Sequence, residues 1–313
     1  MNKRQSTTAA VAAAATLALT ATACGSDSSS DEGGETVKLG LAISTLNNPF
    51  FVQMKKGAEA EAKTQNAELS VQDAQDDASQ QANQVQNFTS QNVKSIIINP
   101  VDSDAAGASV KGANNADIPV IAADRGVNKA DTEATVASDN VDGGRQAAKE
   151  LATMLDGKGE ILFLRGQAGT SASRERGQGF TEGLKKFPGV KVVAKQTADF
   201  DRTKGLDVTT NMLQAHPNVD GVFAENDEMA LGAIKALGDK AGDDVKVIGF
   251  DGTPEGLKAV KNGSLTMTIA QQPEELGKMA VRNALRVVDG TKVDKQIKVP
   301  VKVVTSKNVD QYS

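Results

Sequence analysis

From Val37 onward, short apolar runs alternate with longer amphipathic stretches, the pattern of a parallel sheet covered by helices on both faces. The runs predict strands at Val37–Ile43, Leu69–Asp73, Ser95–Ile98, Val120–Ala122 and Thr135–Ser138, then a second series at Ile161–Leu164, Val190–Thr197, Gly221–Ala224, Val245–Phe250 and Leu265–Ile269. Helices are predicted to begin near Pro49, Ser79, Asp104, Val141, Ser171, Thr203, Asp227, Pro254 and Pro273, several of them on residues that favour helix starts. A last strand is predicted over Lys298–Thr305. The two series read as one architecture used twice, with no sequence repeat of fixed period, and a crevice between the halves is the expected site. The predicted fold class is therefore α/β, with two doubly wound parallel-sheet domains.

The end of the first run carries the most distinctive chemistry. Ser44-Thr45-Leu46-Asn47-Asn48-Pro49-Phe50-Phe51 places a hydroxyl, an amide and two adjacent phenyl rings at a strand's carboxyl end, where open α/β sheets bind ligands. Phenyl faces cover the C–H surface of a sugar ring, while Ser44 and Asn48 suit its hydroxyls. A purely structural role is the alternative, since Met54, Ala58 and Ala62 follow Phe50 and Phe51 at helical spacing. Other strands end in polar groups too: Asn99, the adjacent Asp124 and Arg125, Asn226, Asp251 and Gln271. Carboxylates, guanidinium groups and amides satisfy hydroxyls, which both donate and accept. Each has a local alternative, Asn226 or Asp227 as a helix cap and Asp251 before Gly252 as a turn.

Composition narrows the class. A net charge of -5 and 24% charged residues over 313 residues argue against a nucleic-acid surface and suit two domains with separate cores. The amino terminus differs from the rest: Lys3 and Arg4 precede an apolar, Ala-rich stretch from Ala9 to Ala23, then Cys24 and a polar tether. Residues 1–23 read as an export signal and 24–36 as a flexible tether. Ala21-Thr22-Ala23 before Cys24 resembles the site of bacterial lipoproteins, making Cys24 the candidate lipid attachment and the membrane a partner through that anchor. Leu is commoner than Ala at position 21 of such signals, so cleavage by the ordinary signal peptidase, giving a soluble periplasmic protein, is the alternative. With one cysteine, neither an intramolecular disulfide nor a cysteine metal cluster forms. No cofactor is expected.

STLNNPFF, INPVDSDA, ASDNVDGG, GTSASRERGQGF, ADFDRTKGLDV, FAENDEMALGA, GFDGTPEG and TIAQQP together make the chain, from Val37 to about Thr305, resemble the ribose-binding members of the bacterial periplasmic sugar-binding family. That family feeds ABC importers and shares its type I fold with sugar-responsive repressors. The resemblance implies a monomeric binding protein for D-ribose, or another pentose or hexose such as allose or xylose, with importer permease subunits as partners and a chemoreceptor as an alternative one. It implies that Ser44, Asn48, Asn99, Asp124, Arg125, Arg174, Asn226, Asp251 and Gln271 hold the sugar, with Phe50, Phe51 and Phe200 against its faces. Arg174 and Phe200 come from the resemblance alone. It further implies three hinge crossings, near Ser138 to Asp139, Gln271 to Gln272 and Pro300, hence lobes of residues 37–138 plus 272–299 and 139–271 plus 300–313.

Rival functions fit less well. A glycosidase needs two carboxylates flanking a scissile bond, whereas these acids are interleaved with Arg and amides expected to keep them ionised. No catalytic triad assembles around the lone His216, which reads as a helix-terminal cation, and no GxxxxGK[ST] loop occurs. A repressor would carry a basic helix-turn-helix where this chain has its export signal.

Overall fold

A computed structural model describes residues 36–312, and the calls on residues 1–23, the tether up to residue 35 and Cys24 lie outside them. The first half runs β1 (Lys38–Ile43), α1 (Pro49–Thr64), β2 (Glu68–Asp73), α2 (Ala78–Ser90), β3 (Ser95–Ile98), α3 (Ala106–Asn114), β4 (Val120–Ala123) and β5 (Ala134–Ser138). The second runs α4 (Asn140–Met154), β6 (Lys158–Arg165), α5 (Ser171–Leu184), β7 (Gly189–Thr197), α6 (Arg202–Ala215), β8 (Gly221–Ala224), α7 (Asp227–Leu237), β9 (Lys246–Asp251), α8 (Pro254–Asn262) and β10 (Met267–Ala270). These are followed by α9 (Pro273–Val288), β11 (Gln296–Val299), β12 (Lys302–Thr305) and a short 3-10 turn (Val309–Gln311).

The strands form two six-stranded sheets of matching order, β11-β5-β4-β3-β1-β2 and β12-β10-β9-β8-β6-β7. Central strands such as β3, β4 and β8 are buried along their whole length, which is why they read as unbroken apolar runs. Helix starts follow local chemistry. Pro49, Pro254 and Pro273 occupy first turns, where a missing N–H costs nothing, while side chains of Asp77, Asp139, Thr170, Asp201, Asn226 and Thr253 accept from backbone N–H groups of the helices they precede.

Among the described residues the chain passes between sheets three times. After β5 it enters α4, which packs on α5 and the second sheet; after β10 it enters α9, which packs on α1 and the first. The third passage departs from the sequence expectation. The single strand foreseen over Lys298–Thr305 is two, interrupted at Pro300: β11 adds parallel to β5 in one sheet and β12 antiparallel to β10 in the other. An apolar run cannot reveal that its pairing partner changes midway, and Pro300, lacking an N–H, sits where the ladder breaks. The passages are tied together, Asp139 N donating to Val299 O at 2.9 Å and Gln272 Nε2 to Pro300 O at 2.9 Å. They divide the fold into a first lobe around the first sheet and a second lobe around the other.

The lobes also touch directly. Ser103 N donates to Gly169 O (3.1 Å), Ser171 N to Ser103 Oγ (3.2 Å) and Gly126 N to Ser171 Oγ (2.9 Å).

Candidate functional site

Most of the polar strand ends meet at a cavity between the lobes. Asn48, Phe50, Phe51, Asp124 and Arg125 line it from the first lobe; Ala172, Arg176, Phe200, Asn226 and Asp251 line it from the second, and Gln271 from the second passage. A wider cleft alongside shares Asn48, Phe51, Arg125 and Phe200 with it.

The aromatic residues serve two ends at once. Phe50 and Phe51 meet edge to face, with centroids 5.2 Å apart, and pack into the first lobe's core with Met54, Ala58 and Ala62 while also walling the cavity. Both sequence alternatives therefore describe the same pair. The Arg125 guanidinium lies 5.0 Å from the Phe51 ring centre and 5.5 Å from that of Phe200, so one cation bridges aromatic faces from opposite lobes.

Asn48 and Asn226 are helix caps as well as wall residues. Asn48 Oδ1 accepts from Phe50 N (2.9 Å), and Asn226 Oδ1 accepts from Met229 N (3.0 Å) while its Nδ2 donates to Phe200 O (3.1 Å). Asp251 Oδ1 accepts from Gln271 Nε2 (2.6 Å) and lies 3.4 Å from Arg176 Nη1. Three wall residues hold backbone conformations that side chains rarely adopt: Asp124 at φ +64°, Phe200 at +61° and Asp251 at +125°. Such strain concentrates where the surrounding structure fixes a functional geometry.

Electrostatically, burial dominates. It pushes the carboxyls of Asp124 and Asp251 up from their ordinary values; Arg125 and Arg176 respectively pull them back in part, and nearby Asp227 adds to the rise at Asp251. The sequence reading had weighed the arginines above burial. Asp124 Oδ1, Arg125 Nε and Gln271 Oε1 are buried with no hydrogen-bond partner among the described residues, although Arg125 Nε is 3.7 Å from Asp124 Oδ2. A wall with unpaired buried donors and acceptors matches a ligand rich in hydroxyls.

Three expected residues do not reach the cavity. Ser44 and Asn99 stand behind it, Asn99 Oδ1 accepting from Ser44 Oγ (2.6 Å) and Ser44 N (3.2 Å) and its Nδ2 donating to Ala123 O (3.1 Å) and Asp124 Oδ2 (3.4 Å). Arg174 is exposed, donating from Nη1 to Gly169 O (2.9 Å), and lines a separate cleft. Arg176 takes the place foreseen for it. Two residues turn a helix by about 200°, so these arginines face opposite ways. The signal was present, because Arg176 shares its face with the buried Phe180 and Gly183 at i+4 and i+7, whereas Arg174 shares its face with the exposed Gln178.

Two buried acids stand close by: Glu225, which the sequence did not single out, and Asp227, read there only as a helix start or cap although Asn226 is the cap. Glu225 Oε2 accepts from Gly166 N (2.6 Å), and its Oε1 lies 2.8 Å from Arg165 Nε, off-axis for a hydrogen bond. Asp227 takes donors from Thr268 Oγ1 (2.7 Å) and Thr253 N (2.8 Å) beneath the Asp251 turn. Among the described residues no acid, His or Cys cluster could hold a metal ion, and no helix is long and apolar enough to cross a membrane.

Residues 39–292 match the family described as periplasmic binding protein domain. The chain is 46% identical over 269 residues to the ribose import binding protein RbsB of Bacillus subtilis, spanning 86% of this chain and 87% of that one. It is 48% identical over 268 residues to the protein of the same name from Escherichia coli, spanning 85% and 90%. In three dimensions it resembles an ABC transporter periplasmic solute binding protein from Actinobacillus succinogenes, solved with bound D-allose, at a TM-score of 0.82 and 32% identity, covering 88% of this chain and 99% of that one. The chain belongs to the periplasmic binding protein family, whose members capture solutes for ABC importers and are not enzymes.

Proposed function

We propose that this chain captures a monosaccharide, D-ribose foremost, between its two lobes and presents the closed form to the permease of an ABC importer. The carrying observation is the cavity wall, which combines Asp124, Arg125, Arg176, Asp251 and Gln271 with the aromatic faces of Phe51 and Phe200. Ribose is favoured over allose because the relatives named for ribose reach 44–49% identity, against 35% for one named for D-allose. Sugar contacts drawn from both lobes exist together only when the lobes are closed, so ligand binding drives closure about the three passages. Isothermal titration with ribose, allose, xylose and myo-inositol tests the reading. Ribose is expected to bind tightest; heat from another sugar and none from ribose overturns the assignment to ribose, and a radius of gyration unchanged by a saturating sugar overturns the closure.

We further propose that the protein is exported, works as a monomer, and is held at the outer face of the cytoplasmic membrane by lipid on Cys24. A diacylglyceryl group supplies two acyl chains, enough for stable anchoring where one is marginal. Mass spectrometry of the mature amino terminus is the test: an unmodified end at another residue, in soluble protein, removes the anchor and leaves the sugar reading intact.

A further inference from the structure

Arg176 is the cavity-lining cation whose side chain is most fully engaged with its own lobe, and one of its partners stands outside the cavity. Asn140, buried to 1% exposure, opens α4 directly after the first passage between lobes. Its Oδ1 accepts from Arg176 Nε at 2.9 Å, and its Nδ2 donates to Glu175 Oε2 at 3.2 Å. At the far end of the guanidinium, Nη1 donates to Glu225 O at 2.6 Å, and the Phe250 ring lies 3.9 Å from Cζ. The plane of the fork is thus set by an acceptor at each end and an aromatic face.

Close helix packing makes this reach possible. A Cβ on Gly144 would stand 2.2 Å from Arg176 O, and one on Gly179 would stand 2.0 Å from Val141 O, so α4 and α5 approach at a distance that only glycine permits. Asn140 is brought beside Arg176 by that contact. The acceptor is also neutral. A carboxylate there would compete with Asp251 for the guanidinium charge, whereas a carboxamide oxygen fixes Nε and leaves the charge facing the cavity.

We propose that Asn140 is the positioning residue for sugar binding by Arg176, holding Nε so that the remaining guanidinium donors face the ligand, and that it ties the first passage between lobes to the ligand site. The role in affinity rests on the sugar-binding reading above; the role in orienting Arg176 does not.

The test uses the full-length mature protein. Asn140→Leu keeps the branched shape and removes the acceptor, and is expected to weaken ribose binding about tenfold or more, the loss of a hydrogen bond to a charged group. Asn140→Asp combined with Glu175→Gln keeps an acceptor for Nε but adds the competing carboxylate, and is expected to bind between the parent and Asn140→Leu. Arg176→Met offers no donor to the Asn140 oxygen, so Asn140→Leu costs nothing further in that background, while in Asn48→Ala it keeps its full effect. A merely structural Asn140 would give the same loss in both backgrounds, and that result overturns the proposal. NMR of Arg176 Nε–H without sugar separates this from the identity of the ligand: solvent exchange is expected to be slow in the parent and faster in Asn140→Leu, or in Asn140→Ser should the former not fold. Fast exchange in the parent overturns the proposal whatever the sugar; slow exchange with no heat from ribose leaves it standing and counts against ribose.

Discussion

Replacing Arg176 and Arg174 in turn by Ala separates two side chains that lie two positions apart and face opposite ways. Arg176 is buried, donates to Asn140 and Glu225 O, and lies 3.4 Å from the buried Asp251 carboxylate. Each lost hydrogen bond to a charged group costs about 1.5 to 3 kcal/mol, and removing one member of a buried ion pair strands the other. A loss of about 3 kcal/mol in binding is roughly a hundredfold in affinity. Arg174 makes one exposed bond to Gly169 O, and such surface substitutions stay within about 0.5 kcal/mol, roughly twofold. Titration calorimetry with ribose, with melting measured alongside, reads both. Arg176→Lys, which keeps the charge and loses the planar fork, is expected to fall between parent and Arg176→Ala. An Arg174→Ala protein that binds as weakly as Arg176→Ala would refute the assignment of the ligand-facing arginine from helix phase and burial.

Gly169→Ala is expected to weaken binding about five- to tenfold without touching the cavity, because Gly169 has φ +90° and a Cβ there would stand 1.8 Å from Asp102 Oδ2 across the lobe contact; scattering should show less compaction with sugar, and parent-like affinity would count against the contact as part of closure. Phe51→Leu, retaining most of the core volume but not the ring beside Arg125, is expected to cost roughly threefold to tenfold in affinity with little change in melting; an equal loss of stability and no loss of affinity would reduce Phe51 to a core residue. Ligand-free stability is expected to fall as pH rises from about 4 to about 6. Burial raises the carboxyls of Asp124, Glu225 and Asp251, and that of Asp227 to about 6 from 3.8, so the folded state holds these protons more tightly than the unfolded chain and is favoured at the acid end of that window. Chemical denaturation across that range checks it, Asp227→Asn should flatten the slope, and stability that rises with pH would oppose the burial argument.

What the sequence disclosed depended on whether the deciding physics was local. Helix starts at Pro49, Pro254 and Pro273 were legible because Pro at a first turn acts within a few residues, and β3 and β8 were bounded correctly because their apolar runs end in Asn or Glu at the strand end. The split of the last strand at Pro300 was not, since pairing partners are chosen by the whole fold. Phe50 and Phe51 were read as wall or core, and geometry makes them both. Asn99 looked like a ligand residue because it ends a strand in the right place, yet its side-chain oxygen accepts from Ser44 N and Oγ and its amide donates to Ala123 O and Asp124 Oδ2, so all four side-chain bonds are spent on neighbours. Composition at a strand end locates the neighbourhood of a site; which side chain has donors left over is settled by its neighbours in space.

The two halves explain both the missing repeat and the cavity. Ser44 N donates to Asn99 Oδ1 at the end of β1, and Gly166 N donates to Glu225 Oε2 at the end of β6, so one lock joins corresponding strands at the reversal of strand order in each sheet. Ala74 N bonds Ile43 O, and Ala198 N bonds Arg165 O; each alanine leads to two residues of positive φ, Gln75 and Asp76 in one lobe and Asp199 and Phe200 in the other, then to a capping Asp. The same turns recur, but the spacing between equivalent positions widens by a few residues along the chain, which defeats any search for a fixed period. Function comes from the differences at matched sites. Asp76 stands where the other lobe has Phe200, and Arg125 follows Asp124 where Gly252 follows Asp251, so each lobe brings an acid at the end of its fourth strand but only one brings the adjacent arginine and only the other the late phenyl ring. Face to face, the unmatched residues stack as Arg125 against Phe200, and a cavity with distinct sides results from an architecture used twice.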